Sequence, residues 1–489
     1  MPAMTSLIGR LFQPPASQQL VSWLFIKSLA LIYLVAFASL AVQIAGLSGP
    51  QGIMPLSQQL DESFQQIGHG AWLWFPTIFW LIEPTDLALQ ATAWLGVVIS
   101  IVLLFGIWQR AMLIGAFVLY LSLYHAGQFF TNFQWDTLLL ESGFLAIFLV
   151  GGPNLLLIFL FEWLLFRLRF MSGYFKLASG DPSWSGFTTL DYYFETQGLP
   201  HVGAWYFQQL PEWVLKSGVG LTLFSELIVP FFIFLPRPFR IAAAAITLLM
   251  QLLIIASSNH NFINLLTIAL CVFLLDDRLL SLILPKWLQP KGLPEAPQPP
   301  SRSKNILVGL VALVIVPASL IGFISNALRQ HPPLALQQFS DSVRRLGLGN
   351  IYHVYPTMQV KRYELDIQGS NDAETWKSYT FKYKPGALDR APPFVVPYHP
   401  RLDWMIWFVP TQQTAQMYWF DLFMQRLHQG SPEVLDLLAK NPFPDQPPKY
   451  LRVLVYQYHF TTPEQRAKTG NWWKREYLGI FPEVEPRKP

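Results

Sequence analysis

Long, almost uncharged apolar runs govern what this chain can fold into. They centre near residues 33, 97, 118, 143, 161, 226, 249, 272 and 315. A bilayer core about 30 Å thick needs roughly 20 apolar residues per helix, so these runs predict about eight or nine membrane spans. Composition agrees, with 52% hydrophobic and 13% charged residues. Soluble domains carry roughly 25% charged residues, so lipid is the expected solvent for much of the chain. The first run, 20–47, is too long for the apolar core of a cleavable signal and reads as a retained span. The stretch AWLWFPTIFWLI (71–82) is too short to cross, and its Trp rings suit an interfacial or re-entrant helix.

Orientation follows from the basic residues between spans. With Arg10 in the cytoplasm, the turns holding Arg110, Arg237 and Arg240, and Lys286, Lys291, Arg302 and Lys304 also fall inside. The loops 47–86, 125–134 and 257–261 fall outside and contain no Lys or Arg, as the positive-inside rule requires. The segment 167–216 breaks the pattern, since Arg167, Arg169, Lys176 and Lys216 would lie outside. Nine spans put the C-terminal part outside as well, in the periplasm of a bacterium or the lumen of a eukaryote. The Pro-rich, basic stretch 290–304 reads as a linker before the last span.

From about residue 331 the composition becomes charged and proline-rich. MQVKRYELDIQGS, WKSYTFKYK and YLRVLVYQYHF read as strands, and TAQMYWFDLFMQRLHQG and PEVLDLLAKN as amphipathic helices. The expected architecture is a polytopic helical membrane domain (1–330) followed by an extra-membrane α+β domain (331–489) with a sandwich-like sheet. A domain of that length can hold its own core.

Candidate chemistry gathers on the outer side. HAGQFFTNFQWDTLLLESGF (125–144) supplies His125, Gln128, Trp135, Asp136 and Glu141. Asp136 can simply complement a helix dipole. Glu141 lies deeper, where ionisable groups usually face a bundle interior or a cavity. The segment 166–200 adds Arg167, Arg169, Lys176, Asp181, Trp184 and Tyr193. Its basic residues can snorkel at a span end, or a desolvated Lys176 can serve as a base. Glu226 lies mid-span, and Arg167 or Arg169 is its expected partner; His260 sits at the next outer turn. Cys271 stands alone in IALCVFLL, which excludes an intramolecular disulfide and predicts a buried small hydrophobe. The nine histidines show no HxH or HxxxH spacing, and there is no GxSxG elbow or phosphate loop, so neither metal nor cofactor is expected. A net charge of +4 gives no footing for nucleic acid.

FQWDTLLLESGFLAIF, KLASGDPSWSGFTTLDYYFETQGLP, ELDIQGSNDAETW, FKYKPG, PRLDWMIWF, LLAKNPFPDQPP and TGNWWKREYLG occur here in that order. In them the chain strongly resembles the lipase maturation factor family, from about residue 15 onward. The resemblance implies a multi-pass membrane protein whose vertebrate members reside in the endoplasmic reticulum and help secreted dimeric lipases become active. It implies no catalytic activity. Its expected partners are membrane lipid and a secreted protein client. Unlike those members, this chain has a single cysteine and no evident retention tail, which points to a bacterial inner membrane and away from thiol exchange. Trp404, Trp407, Phe408, Trp472 and Trp473 are either client contacts or core, with core the commoner fate. The membrane part is also similar to vitamin K-dependent gamma-carboxylase, whose base lysine lies in a segment like SGYFKLASGDPSW. That similarity implies the alternative of a membrane enzyme acting on a lipid-soluble substrate, with Lys176 as base and Glu141 and Glu226 nearby.

Overall fold

The computed structural model describes residues 9–291, 300–411 and 417–482. The middle of the expected linker and the first residues of the expected helix at 414–430 lie outside them. Each apolar run has become a helix: α1 (Gln19–Ala41), α2 (Asp86–Phe105), α3 (Gln109–Ala126), α4 (Gln134–Ile147), α5 (Leu155–Ala178), α6 (Glu212–Leu227), α7 (Arg237–Ser257), α8 (Ile263–Cys271) and α9 (Arg302–Leu328). Among the described residues, α1, α2, α6 with the turn that extends it to Phe234, α7 and α9 are long and apolar enough to cross a bilayer. Side-chain caps set their ends. Thr85 accepts from the Ala88 amide at 3.2 Å, Asn154 from Leu157 at 2.8 Å and Ser301 from Lys304 at 3.3 Å. Leu95, Val98, Leu249, Leu252, Leu310 and Leu313 are exposed on the outside of the bundle, as lipid-facing residues must be. The 71–82 stretch forms one short helix, Ala71–Trp74, and a 3-10 turn, Ile78–Trp80, with Trp72 stacked on Trp80.

Helix α5 runs to Ala178, well past the expected end of its span. Arg167, Arg169 and Lys176 therefore lie within a helix and are buried. The break in the charge pattern has this physical cause: three of the four basic residues are buried in ion pairs inside the protein rather than exposed outside it. Lys216 is the exposed one, paired with Glu212 one turn away.

Beyond α9, the helix Leu334–Arg345 returns against it, with Ser340 Oγ donating to the Ala318 carbonyl at 2.9 Å. Then follow β1 (Arg362–Ser370), β2 (Lys377–Ser378), β3 (Thr380–Phe381), β4 (Leu438–Lys440), β5 (Tyr450–Phe460) and β6 (Trp473–Ile480). An antiparallel sheet has the order β2-β1-β5-β6, with Leu365 opposite Val455 and Ile367 opposite Val453. β3 and β4 form a second, two-stranded sheet. Two short strands cannot cover a sheet face. The helix Tyr418–Gln429 does so instead, burying Trp419, Phe420, Phe423 and Leu427 against Leu365, Ile367, Val453 and Val455. PEVLDLLAKN yields one helical turn, Pro432–Leu435, and then β4, because Leu438 is drawn into pairing with Phe381. Strand β6 was not expected from the sequence; it lies at the sheet edge, and Lys474–Tyr477 are exposed on both of its faces.

The sheet domain does not close its core alone. Leu47, Ile53, Met54 and Phe130 of the helical region enter it. A further cluster joins Tyr193, Phe194 and Trp205 to Tyr458, Phe460, Trp472 and Trp473.

Candidate functional site

The polar residues singled out from sequence separate into three places. The first is a seam between the helical region and the sheet domain. Asp136, in the first turn of α4, accepts both guanidinium nitrogens of Arg401 at 2.6 and 2.7 Å and the Tyr120 hydroxyl at 2.6 Å. Both members of the Asp136–Arg401 pair are fully buried. Its role is to join two parts of the fold, beyond any helix-dipole effect, and a partner 265 positions away left no local signal. Glu141 pairs with Arg167 and accepts the Gly349 amide at 3.0 Å, while Arg167 donates to the Asn350 carbonyl at 3.0 Å.

The second place is a cavity of about 360 Å³ among α5, α6, α7, α8 and the helix Thr189–Thr196. Lys176 Nζ lies 2.7 Å from Glu226 and donates to the carbonyls of Val354 at 2.7 Å and Ser172 at 3.4 Å. Arg169 reaches the other Glu226 oxygen at 3.4 Å and donates to Ser225 Oγ at 2.9 Å. Of the two expected partners of Glu226 only Arg169 is used; Lys176 is the closer one. A snorkelling ammonium would sit in water, whereas Lys176 is only 3% exposed, so the anchor reading gives way to a buried ion triad. Its Nζ also faces the Trp184 ring at 5.1 Å. Tyr193 hydroxyl contacts His260 Nε2 at 2.9 Å and Ser258 Oγ at 2.7 Å, and His260 stacks on Tyr355. Burial, with the Lys176 ammonium second, pushes the His260 imidazole down to about 3.

His260, Ile263, Val354 and Tyr355 form a wall shared with the third place, a cleft of about 800 Å³ at the junction with the sheet domain. Phe133 stacks on Trp135, which meets Trp404 edge-on; Trp407 and Phe408 complete an aromatic lining. Trp404, Trp472 and Trp473 are core, as the commoner fate predicts, while Trp407 and Phe408 are half-buried in the cleft. The indole nitrogens of Trp135 and Trp404 and the Asn350 amide nitrogen are buried here without acceptors. The polar residues Asn350, His353 and Gln359 lining this cleft beside Gln134 left no signal in the sequence, because they reach it only through the 346–359 loop.

The remaining candidates stand apart. His125 contacts the Arg345 carbonyl at 2.9 Å, and Gln128 donates to the Met54 carbonyl at 3.0 Å. Asp181 caps its own turn at Ser183 and accepts the Met358 amide at 2.6 Å, tying the 179–188 loop to the chain that enters β1. Each organises backbone.

Apolar helices with exposed apolar flanks, closed at one end by an antiparallel-sheet domain, define a polytopic integral membrane protein. Residues 20–282 match the lipase maturation factor transmembrane domain and residues 348–482 the lipase maturation factor C-terminal domain. Lipase maturation factor 1 of Mus musculus is 33% identical, over 93% of this chain and 85% of its own length. Lipase maturation factor 2 of Gallus gallus is 33% identical, over 95% and 81%, and that of Homo sapiens 31%, over 97% and 84%. The chain belongs to the lipase maturation factor family. No solved structure matches it.

Proposed function

We propose that this chain is a membrane-embedded maturation factor for secreted proteins, with a lipase as client, and that the client is received in the aromatic cleft. The observation that carries the reading is family membership across both the helical and the sheet regions, in relatives named for that role. The cleft adds a physical means. Aromatic faces flanked by indole and amide donors without acceptors suit an incompletely folded segment that offers both apolar side chains and free carbonyls. In our reading nine helices cross a bacterial inner membrane and the sheet domain lies in the periplasm. Supporting this, the loops that lack Lys and Arg are the ones that touch the sheet domain. Ser431 donates to the Gln51 carbonyl at 2.7 Å, Arg401 to that of Phe130 at 3.0 Å and Asn259 to that of Pro393 at 2.8 Å.

A photo-crosslinking residue at Thr357, exposed on the lining of the cleft, should capture a co-expressed secreted lipase before it becomes active. Trp407→Ala should weaken that capture at least about ten-fold, equivalent to about 1.4 kcal/mol. Undiminished yields of active lipase from cells lacking the chain would remove the proposal. The alternative, an enzyme related to vitamin K-dependent gamma-carboxylase with Lys176 as base, gains support from the cavity beside that residue. The contacts of Lys176 weigh against it, because a carboxylate and two carbonyls already engage the amine that a base would have to turn toward its substrate.

A further inference from the structure

The cavity beside Lys176 is lined by more hydrogen-bond donors than its own acceptors satisfy. Arg169 and Lys176 both line it and share one carboxylate, Glu226, at 3.4 and 2.7 Å. Among the described residues no other Asp or Glu lines the space, and the one histidine among its lining residues, His260, is held neutral by burial. Two basic side chains thus face a single carboxylate in a water-poor bundle, where burying an unpaired polar or charged group is costly. Buried hydrogen-bonding atoms around the same space also lack partners. They include Arg169 Nε, Trp184 Nε1 and Gln251 Nε2, all donors, and the Asn264 carbonyl oxygen. The rest of the lining is apolar: Leu168, Leu190, Leu221, Met250 and Ile254 among others. Its mouth lies in the lipid-facing wall, where Ser217 of α6 and Leu253 of α7 line the cavity and are also exposed.

We infer that this cavity is a binding site for a single-chain amphiphile with an anionic head, a long-chain fatty acid, entering from the bilayer between α6 and α7. The carboxylate meets the guanidinium of Arg169 and the free donors of Trp184 and Gln251 beside the Arg169–Lys176–Glu226 triad, while the chain lies along the apolar wall toward Leu253. A volume of about 360 Å³ sits within the roughly 300–1,000 Å³ range of small-molecule sites. The inference is independent of the client reading, because nothing in it draws on the aromatic cleft.

The test uses the full chain in lipid nanodiscs and a radiolabelled palmitate bearing a terminal photoreactive group. Saturable labelling is expected on peptides from α6 or α7. Unlabelled palmitate should compete at least about ten-fold better than hexadecanol of the same chain length, since charge-assisted hydrogen bonds are roughly twice as strong as neutral ones. Arg169→Gln should lower labelling several-fold. Ser217→Trp, an exposed substitution that spares the triad, should block the mouth and do the same without changing the melting temperature, which keeps the test valid where Arg169→Gln fails to fold. Equal competition by hexadecanol overturns the anionic head. Stronger competition by diacyl phosphatidylglycerol than by palmitate overturns the single-chain ligand. Labelling that does not saturate, or that is undiminished in Ser217→Trp, overturns the site.

Discussion

At the scale of single residues, the interior of this protein is organised by buried ion pairs whose partners come from distant parts of the chain. Arg401 and Asp136 are both fully buried, and the fork geometry supplies two parallel hydrogen bonds. Removing one member strands the other in a low-dielectric environment. Arg401→Met should therefore cost about 3–5 kcal/mol, whereas the double variant with Asp136→Leu should recover much of it. Apparent melting of the detergent-solubilised chain reads both; equal damage in the single and double variants would show that the pair contributes through something other than charge. Two histidines add a pH dependence. His260 is pushed down to about 3, and His399, enclosed by Phe133, Trp135 and Trp404, is held well below its ordinary value by burial first and the Arg401 charge second. Below about pH 6.5 the unfolded chain takes up protons that these rings refuse, so stability is complete above that pH and is lost as pH falls, by up to about 1.4 kcal/mol per unit per histidine. Melting temperatures between pH 7.5 and 5 should decline accordingly, and His399→Phe should flatten the slope. An unchanged slope would assign the acid sensitivity to other groups.

At the scale of elements, the triad depends on how closely α5 and α6 approach. Gly173 is the contact point: a Cβ there would lie 2.8 Å from Glu226 Cβ and 2.9 Å from its carbonyl carbon. Small residues at helix crossings let backbones meet in lipid, where burial of apolar surface gives no drive of its own. Gly173→Leu should push the helices apart at an overpacking cost of about 1–3 kcal/mol and loosen the Glu226 contacts with Lys176 and Arg169. Thermal melting of Gly173→Leu beside Gly173→Ala measures this, and a wild-type melt in the leucine variant would mean that the crossing is not held so tightly. The strands show a different dependence. β1 and β5 were legible because their sequences alternate and carry β-branched and aromatic residues. β6 was not, since WKREYLGI presents a charged face and owes its strand form to pairing with β5.

At the scale of the whole molecule, topology is the quantity to measure. If nine helices cross as proposed, the sheet domain lies outside the cytoplasm, and a reporter active only in the cytoplasm, fused after Pro489, should be silent and a periplasm-dependent one active. The reverse result would change the number of spans by one and place both the cleft and the mouths of the outer loops in the cytoplasm. What the sequence alone determined are properties additive along a segment: apolar length, the asymmetry of Lys and Arg between loops, and strand alternation. Transfer from water to lipid sums over neighbouring residues, so these survive without knowledge of the fold, and so does a family likeness spread along the chain. Only tertiary structure decided which charge meets which. Glu226 takes Lys176 as well as Arg169, Arg167 goes to Glu141, and Arg401 crosses 265 positions to Asp136. It also made one core of two regions, with Leu47, Ile53, Met54 and Phe130 packed inside the sheet domain. Ion pairing and close packing depend on distances of a few ångströms between residues remote in sequence, and no local pattern encodes them.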